Sequence, residues 1–496
     1  MQLLRSRTVR LLSFIAITSA LIGFGGHAPV QAAGEGDDYA TQALGAPWDM
    51  STSNTIATQQ TRINGSVSGL TFANGLLEAT ATNSDPRITL LLPTNPNANA
   101  ALPEGGVTPI DTNVYRYLTA RVNITVAGQA QVFWQKDMTT PYNGSAFKDV
   151  KVGWNEITFD LKAGGFGSNG SWSGMVQGLY FDPINKAGSF QIDYVRLSSA
   201  PLASPGNGVP QLQITAPSYA SGPDYANTVL GNPWDMNDAS DIASSAALAP
   251  LVFRDGILSG TTGNCTAVGC GDPALTLRTS GVIDTRRFKY VTYRVQVEQQ
   301  DATNDIGSVT RFFWWPILPN DASTTRDTFA YEGWHTISLD LTKVRLEATS
   351  KAKWTDSAPQ TFRFDPHEYE TSRSFKLDYI TLTGDTQADT SFDIRYDASD
   401  TDGNTPATQF FFDTDAQGFD GTPISCTAAR VQATAGKKVY IPLLTRAGGD
   451  LGLVTGASCR WQTANVPAGI YYVYGVTTDG IDTTRVYSQT PLIIAH

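Results

Sequence analysis

Seven aromatic side chains stand where a ring could meet a ligand: Trp134, Tyr142 and Trp172 in one stretch of the chain, and Trp314, Trp315, Tyr331 and Trp354 in another. An indole or phenol ring stacks on the apolar C–H face of a pyranose while neighbouring polar groups take its hydroxyls. Trp172 lies in a Gly/Ser-rich run and Trp354 in a polar one, loop contexts that predict exposed rings. Phe133-Trp134 and Phe313-Trp314 are adjacent pairs inside strand-like runs. Successive side chains of a strand point to opposite faces, so one ring of each pair packs inward and the other faces out.

A second chemistry is oxygen coordination. Asp413-Thr414-Asp415-Ala416-Gln417-Gly418 copies the first half of a calcium loop, with oxygen ligands at positions one, three and five and glycine at six. Position twelve is Ile424 where a bidentate glutamate is needed, so a helix-loop-helix site is excluded. Asp420 completes a looser set, and an acidic hairpin loop is the competing reading. Histidine chemistry is poorly provided for. Of four histidines, His27 lies in the leader, His496 is the last residue, and His335 and His367 sit in motifs whose other copy has Asn155 and Ile184. Serine, cysteine and zinc mechanisms are therefore not expected. Glycoside hydrolysis needs only two carboxylates, but Asp160/Asp340, Asp182/Asp365 and Asp193/Asp378 each occur twice, as structural residues do.

That pairing reflects a duplication. Asp38-Tyr39-Ala40 and Pro47-Trp48-Asp49-Met50 return as Asp224-Tyr225-Ala226 and Pro233-Trp234-Asp235-Met236; Gly153-Trp154 returns as Gly333-Trp334 and Phe181-Asp182-Pro183 as Phe364-Asp365-Pro366. The spacing between copies stays within 180–186 residues at these motifs, so insertions fall in loops. Because both copies keep them, Trp48, Trp234, Trp154 and Trp334 are expected in the core, and Asp182 and Asp365, each before a proline, in turns. Apolar residues alternate with polar ones, as at Leu118, Ala120, Val122 and Ile124, with Gly, Asn and Pro between the runs. That pattern predicts an all-β chain of antiparallel sandwiches. Residues 200–210 have linker composition.

Residues 1–33 read as a signal peptide: Arg5, Arg7 and Arg10, an apolar run, then small residues to Ala33. The run is too short to span a bilayer, so no membrane insertion is expected. In an exported chain the cysteines pair locally, Cys265 with Cys270 and Cys426 with Cys459. A net charge of −11 with scattered Lys and Arg argues against nucleic acid.

The order Gly-Trp-x-x-Ile-x-Phe/Leu-Asp-Leu, then Phe-Asp-Pro, then Phe-x-Ile/Leu-Asp-Tyr-Val/Ile is similar to the second half of jelly-roll carbohydrate-binding modules of the galactose-binding-like superfamily. The resemblance implies that Asp193 and Asp378, on the last strand, hold a structural Ca²⁺. The tail, with Pro467-Ala468-Gly469 before an alternating aromatic strand, resembles a fibronectin type III or immunoglobulin-like module. The expected architecture is two tandem jelly rolls, 34–199 and 211–385, then an Ig-like domain, 386–496. The expected protein is secreted, extracellular and non-catalytic. It would bind a polysaccharide or cell-surface glycan; the alternatives are a self-associating surface-layer or matrix protein and, less favoured, a glycosidase.

Overall fold

The computed structural model describes residues 38–59, 66–73, 75–94, 108–166, 171–202, 208–263, 272–297, 309–316, 321–367, 373–400, 405–426, 429–431 and 452–496. The expected signal segment and the Cys265/Cys270 pair lie outside them. The described chain is all-β, built from three two-sheet sandwiches.

In the first sandwich a five-stranded antiparallel sheet runs Val67–Ala73, Leu76–Ala81, Gly188–Ser198, Tyr117–Ile124, Gly153–Asp160. The alternation at Leu118, Ala120, Val122 and Ile124 turns these four side chains into the core. The facing six-stranded sheet is ordered Gly165–Phe166, Asn143–Ser145, Gly128–Gln135, Gly178–Asp182, Ile88–Leu91, with Lys148–Val150 also paired to Gly128–Gln135. The second sandwich repeats the first five-strand order with Val252–Arg254, Ile257–Thr261, Ser374–Thr383, Tyr290–Val297 and Gly333–Asp340. Against it lies a second six-stranded sheet, Ile242–Ala246, Ala274–Leu277, Thr361–Asp365, Val309–Trp315 and Ser323–Thr324, with Thr328–Phe329 also paired to Val309–Trp315.

The duplicated amino-terminal motifs lock onto the last strand of each sandwich. Asp38 accepts the Leu197 and Thr41 amides, and Asp224 those of Leu382 and Asn227. Trp48 and Trp234 are fully buried, and their carbonyls accept the amides of Val195 and Ile380, each at 2.9 Å. Met50 and Met236 share the same left-handed backbone, φ 54° and 56°, so even an unfavourable residue conformation is duplicated.

The third sandwich corrects the expected domain boundary. Gln211–Ala216, read as the start of the second jelly roll, instead pairs with Ser391–Asp400 and heads a sheet continued by Gly452–Gln462 and Ala429–Val431. The second sheet is Thr386–Ala388, Leu492–Ile494, Gly469–Thr478, Ala407–Asp413, Thr422–Pro423. The second jelly roll is thus inserted between the first strand of this sandwich and the rest. Its entry and exit meet: Gly384 N–H donates to the Pro223 carbonyl at 3.1 Å, and a Cβ on Gly222 would stand 1.9 Å from the Gly384 carbonyl oxygen, so glycine is required there. Cys426 and Cys459 form a disulfide within the third unit.

Candidate functional site

Most of the expected ligand aromatics are inside. Trp172 is 2% exposed; its indole N–H donates to the Tyr115 carbonyl at 2.7 Å, and it meets Trp134 edge-on with ring centroids 5.2 Å apart. Trp354 is fully buried, donates to the Phe288 carbonyl at 2.8 Å, and meets Trp314 edge-on at 5.3 Å. The two arrangements are copies. The expected exposure of Trp172 and Trp354 is corrected, because each loop folds back and gives its indole N–H a carbonyl partner within the protein. Trp134 and Trp314 point inward and Phe133 and Phe313 are the outward members of their pairs. Tyr331 is buried as well, ring to ring with Phe329 at 4.8 Å and with Phe72 of the first sandwich at 5.0 Å, where the two jelly rolls touch. Burial holds its hydroxyl well above the usual tyrosine range.

Tyr142 and Trp315 remain accessible, at 41% exposed and half-buried respectively. Both lie outside the core with the six-stranded sheets. In the first sandwich the Arg87 guanidinium is enclosed by the rings of Phe133 and Tyr142, 4.8 and 4.7 Å from their centroids. Its Nε faces Asp182 at 3.7 Å, and burial pushes the Asp182 carboxyl up to about 8 against the opposing pull of Arg87. In the second, Arg363 stacks over Phe313 at 4.6 Å and grips Asp365 by two bonds, 2.6 and 2.7 Å. Asp182 and Asp365 are therefore buried partners of arginine, not turn caps.

The outer faces of the five-stranded sheets hold what sequence reasoning placed in the core. Strand register sets Glu78, Gln191, Asn123 and Trp154 in one row across four strands. The Gln191 amide donates to Glu78 at 2.6 Å and the Asn123 amide donates to Gln191 at 2.8 Å. Half-buried Trp154 closes the row, with the Arg121 guanidinium 4.4 Å over its ring. The second sandwich repeats the row as Ser259, Lys376, Gln296 and Trp334, with Arg294 again 4.4 Å over the indole. A depression of about 490 Å³ lies along this second row, lined by Ser259, Thr261, Gln296, Lys376, Glu332 and Val252. The sequence did carry a signal: Trp154 and Trp334 open strands whose later residues Ile157 and Phe159, and Ile337 and Leu339, set the inward parity at odd numbers, leaving even-numbered Trp154 and Trp334 on the outer side.

The aspartates expected to hold calcium have other partners. Asp193 accepts from Arg121 and Asp378 from Arg294, the same arginines that brace the tryptophans. A fixed guanidinium supplies positive charge beside each carboxylate. Asp413 accepts from the Tyr487 hydroxyl at 3.0 Å and from the Thr414 amide, and Asp415 accepts the Gln417 amide, the pattern of a hairpin tied by its own backbone. Asp420 lies beside Gly418 in that turn. No group of three or more His, Cys, Asp or Glu residues is arranged to hold a metal among the described residues.

No family model and no curated protein matches the chain. Among solved structures it is similar to a variant of CBM29-2, a family 29 carbohydrate-binding module complexed with cellulohexaose, at TM-score 0.21 and 11% identity over 35% of this chain and 92% of that one. A second family 29 module gives TM-score 0.20 and 12% identity over 35% and 90%. The glycoside hydrolase domain of Endo-D from Streptococcus pneumoniae R6 gives TM-score 0.16 and 7% identity over 50% and 36%. These likenesses are too distant for function to pass through them.

Proposed function

We propose that this is a secreted, non-catalytic glycan-binding protein that meets polysaccharide or cell-surface sugar with the outer sheet faces of its two jelly rolls. The observation that supports this reading most is the repeated cross-strand row of hydrogen-bonding side chains ending in a half-exposed tryptophan. An indole at the end of a row of amides and hydroxyls offers a pyranose both a stacking surface and partners for its hydroxyls. The arginine stacked on each ring and pinned by Asp193 or Asp378 holds the indole in place, so little side-chain freedom is lost on binding. Two such faces on one chain raise avidity when both engage the same polymer. The third sandwich serves as the mount.

Self-association as a structural surface protein is the second reading, favoured by the exposed apolar side chains Val126, Phe147 and Val152 of the first sandwich. Affinity electrophoresis of the mature protein through gels containing soluble glucans, mannans and pectins separates the two. Retardation that Trp154→Ala and Trp334→Ala each reduce supports the sheet faces; retardation lost only with Tyr142→Ala or Trp315→Ala moves the site to the six-stranded sheets. Absence of retardation on every glycan, with concentration-dependent assembly by light scattering, favours the structural reading.

A further inference from the structure

The two rows share geometry but not charge. At the second position the first sandwich has Gln191 and the second Lys376; at the first position Glu78 is answered by Ser259. At the residue before the shared Gly-Trp, an exposed Val152 in one is an exposed Glu332 in the other. The first row therefore carries one negative charge, bonded into a chain of amides, and the second carries an exposed ammonium within a depression large enough for one or two sugar units. Beside Lys376 in that row the Gln296 side-chain oxygen is buried and has no hydrogen-bond partner among the described residues. A buried acceptor of this kind is costly unless something donates to it, and a sugar hydroxyl entering the depression would supply that donor.

Resting on the glycan-binding reading, we propose that the second jelly roll is specific for an anionic sugar residue and the first for a neutral one. The carboxylate or sulfate of the acidic sugar sits on Lys376, its hydroxyls donate to Gln296 and to the Glu332 carboxylate at the rim, and its apolar face meets Trp334. Glu332 sets a limit on the ligand: it repels a second negative group, so the site takes one acidic residue within a chain and not a densely charged polymer. The net charge of −11 has the same sense, opposing long polyanions at low salt.

The test is calorimetric titration of the full mature protein with three short probes: a disaccharide bearing a single uronate, a singly sulfated galactan disaccharide, and cellohexaose as the neutral probe. Lys376→Gln, at an exposed position, is expected to weaken the singly charged uronate or the sulfated disaccharide roughly threefold to fivefold at low salt, with the difference gone at about 0.5 M NaCl, and to leave cellohexaose unchanged. Which acidic probe responds distinguishes carboxylate from sulfate. Gln191→Lys is expected to confer acidic binding on the first face. Neutral binding with no acidic binding, or acidic binding indifferent to both lysine changes, overturns the charge assignment while leaving the glycan-binding reading intact. Failure of all three probes overturns both.

Discussion

Replacing Trp172 by alanine separates a ring that holds the fold from a ring that holds a sugar. Trp172 is 2% exposed, its N–H is satisfied by Tyr115, and Trp134 packs edge-on against it. Truncating a buried tryptophan costs about 3–5 kcal/mol through lost transfer energy and the cavity left behind. The Trp134 contact and the stranded Tyr115 carbonyl lie within that total. Trp154 loses a cation-π contact of about 0.5–1 kcal/mol and only part of its burial, so Trp154→Ala costs on the order of 1 kcal/mol. In urea, with slopes of roughly 1–3 kcal/mol per molar, the first substitution shifts the midpoint of the first sandwich by about 1 M or more and the second by a fraction of that. The unsubstituted protein, unfolded in parallel, serves as the reference. Glycan retardation measured on the same samples should fall for Trp154→Ala and persist for Trp172→Ala at temperatures where it stays folded. An unmoved midpoint for Trp172→Ala together with lost binding would refute the burial argument and restore the loop as the ligand site.

Asp182 gives a pH signature. Its carboxyl is raised to about 8 in the fold and titrates near 4 when unfolded, so the folded state holds the extra proton between those values and stability falls as pH rises through that window, by at most about 1.4 kcal/mol per pH unit. Asp182→Asn should flatten that slope in thermal melts, and an unchanged slope would show Arg87 to neutralise the carboxylate fully. Asp193→Asn leaves Arg121 without its carboxylate and should destabilise the first sandwich by about 1–3 kcal/mol equally in calcium and in EDTA; an effect confined to calcium would mean the aspartate acts through a bound ion. Cys459→Ser opens a bridge between residues 33 apart, a loss of about 3–4 kcal/mol by loop entropy, read as a lower melting temperature of the third sandwich alone.

The period-two alternation and the duplicated motifs made the sandwiches legible, because burying one face of a strand imposes parity directly on the sequence. The pairing partner of a strand leaves no such mark. Gln211–Ala216 alternates equally well whether it joins the sheet that follows it or one that resumes 175 residues later, so its place in the third sandwich was invisible. Among the aromatics, duplication was read as core and loop composition as exposure. Duplication marks the core at Trp48 and Trp234, and also at Trp172 and Trp354, whose loops supply carbonyls that let an indole be buried, but Trp154 and Trp334 are duplicated in an outward position braced by arginine. Counting parity from Ile157 and Ile337 would have found the second pair. The arginine partners of Asp193 and Asp378 come from a neighbouring strand, Arg121 and Arg294, and only register reveals them.

The placement of Gln211–Ala216 decides how the molecule carries load. A pull applied between the first jelly roll and the carboxyl terminus passes from the linker into that strand, and from there across its hydrogen bonds into Ser391–Asp400 and the body of the third sandwich. The second jelly roll, entering and leaving through the clasp at Pro223 and Gly384, is bypassed by this line and meets the first at its side, where Tyr331 packs on Phe72. Stripping that strand from Ser391–Asp400 brings the whole inserted module into the path and lengthens it by the span between Pro223 and Gly384.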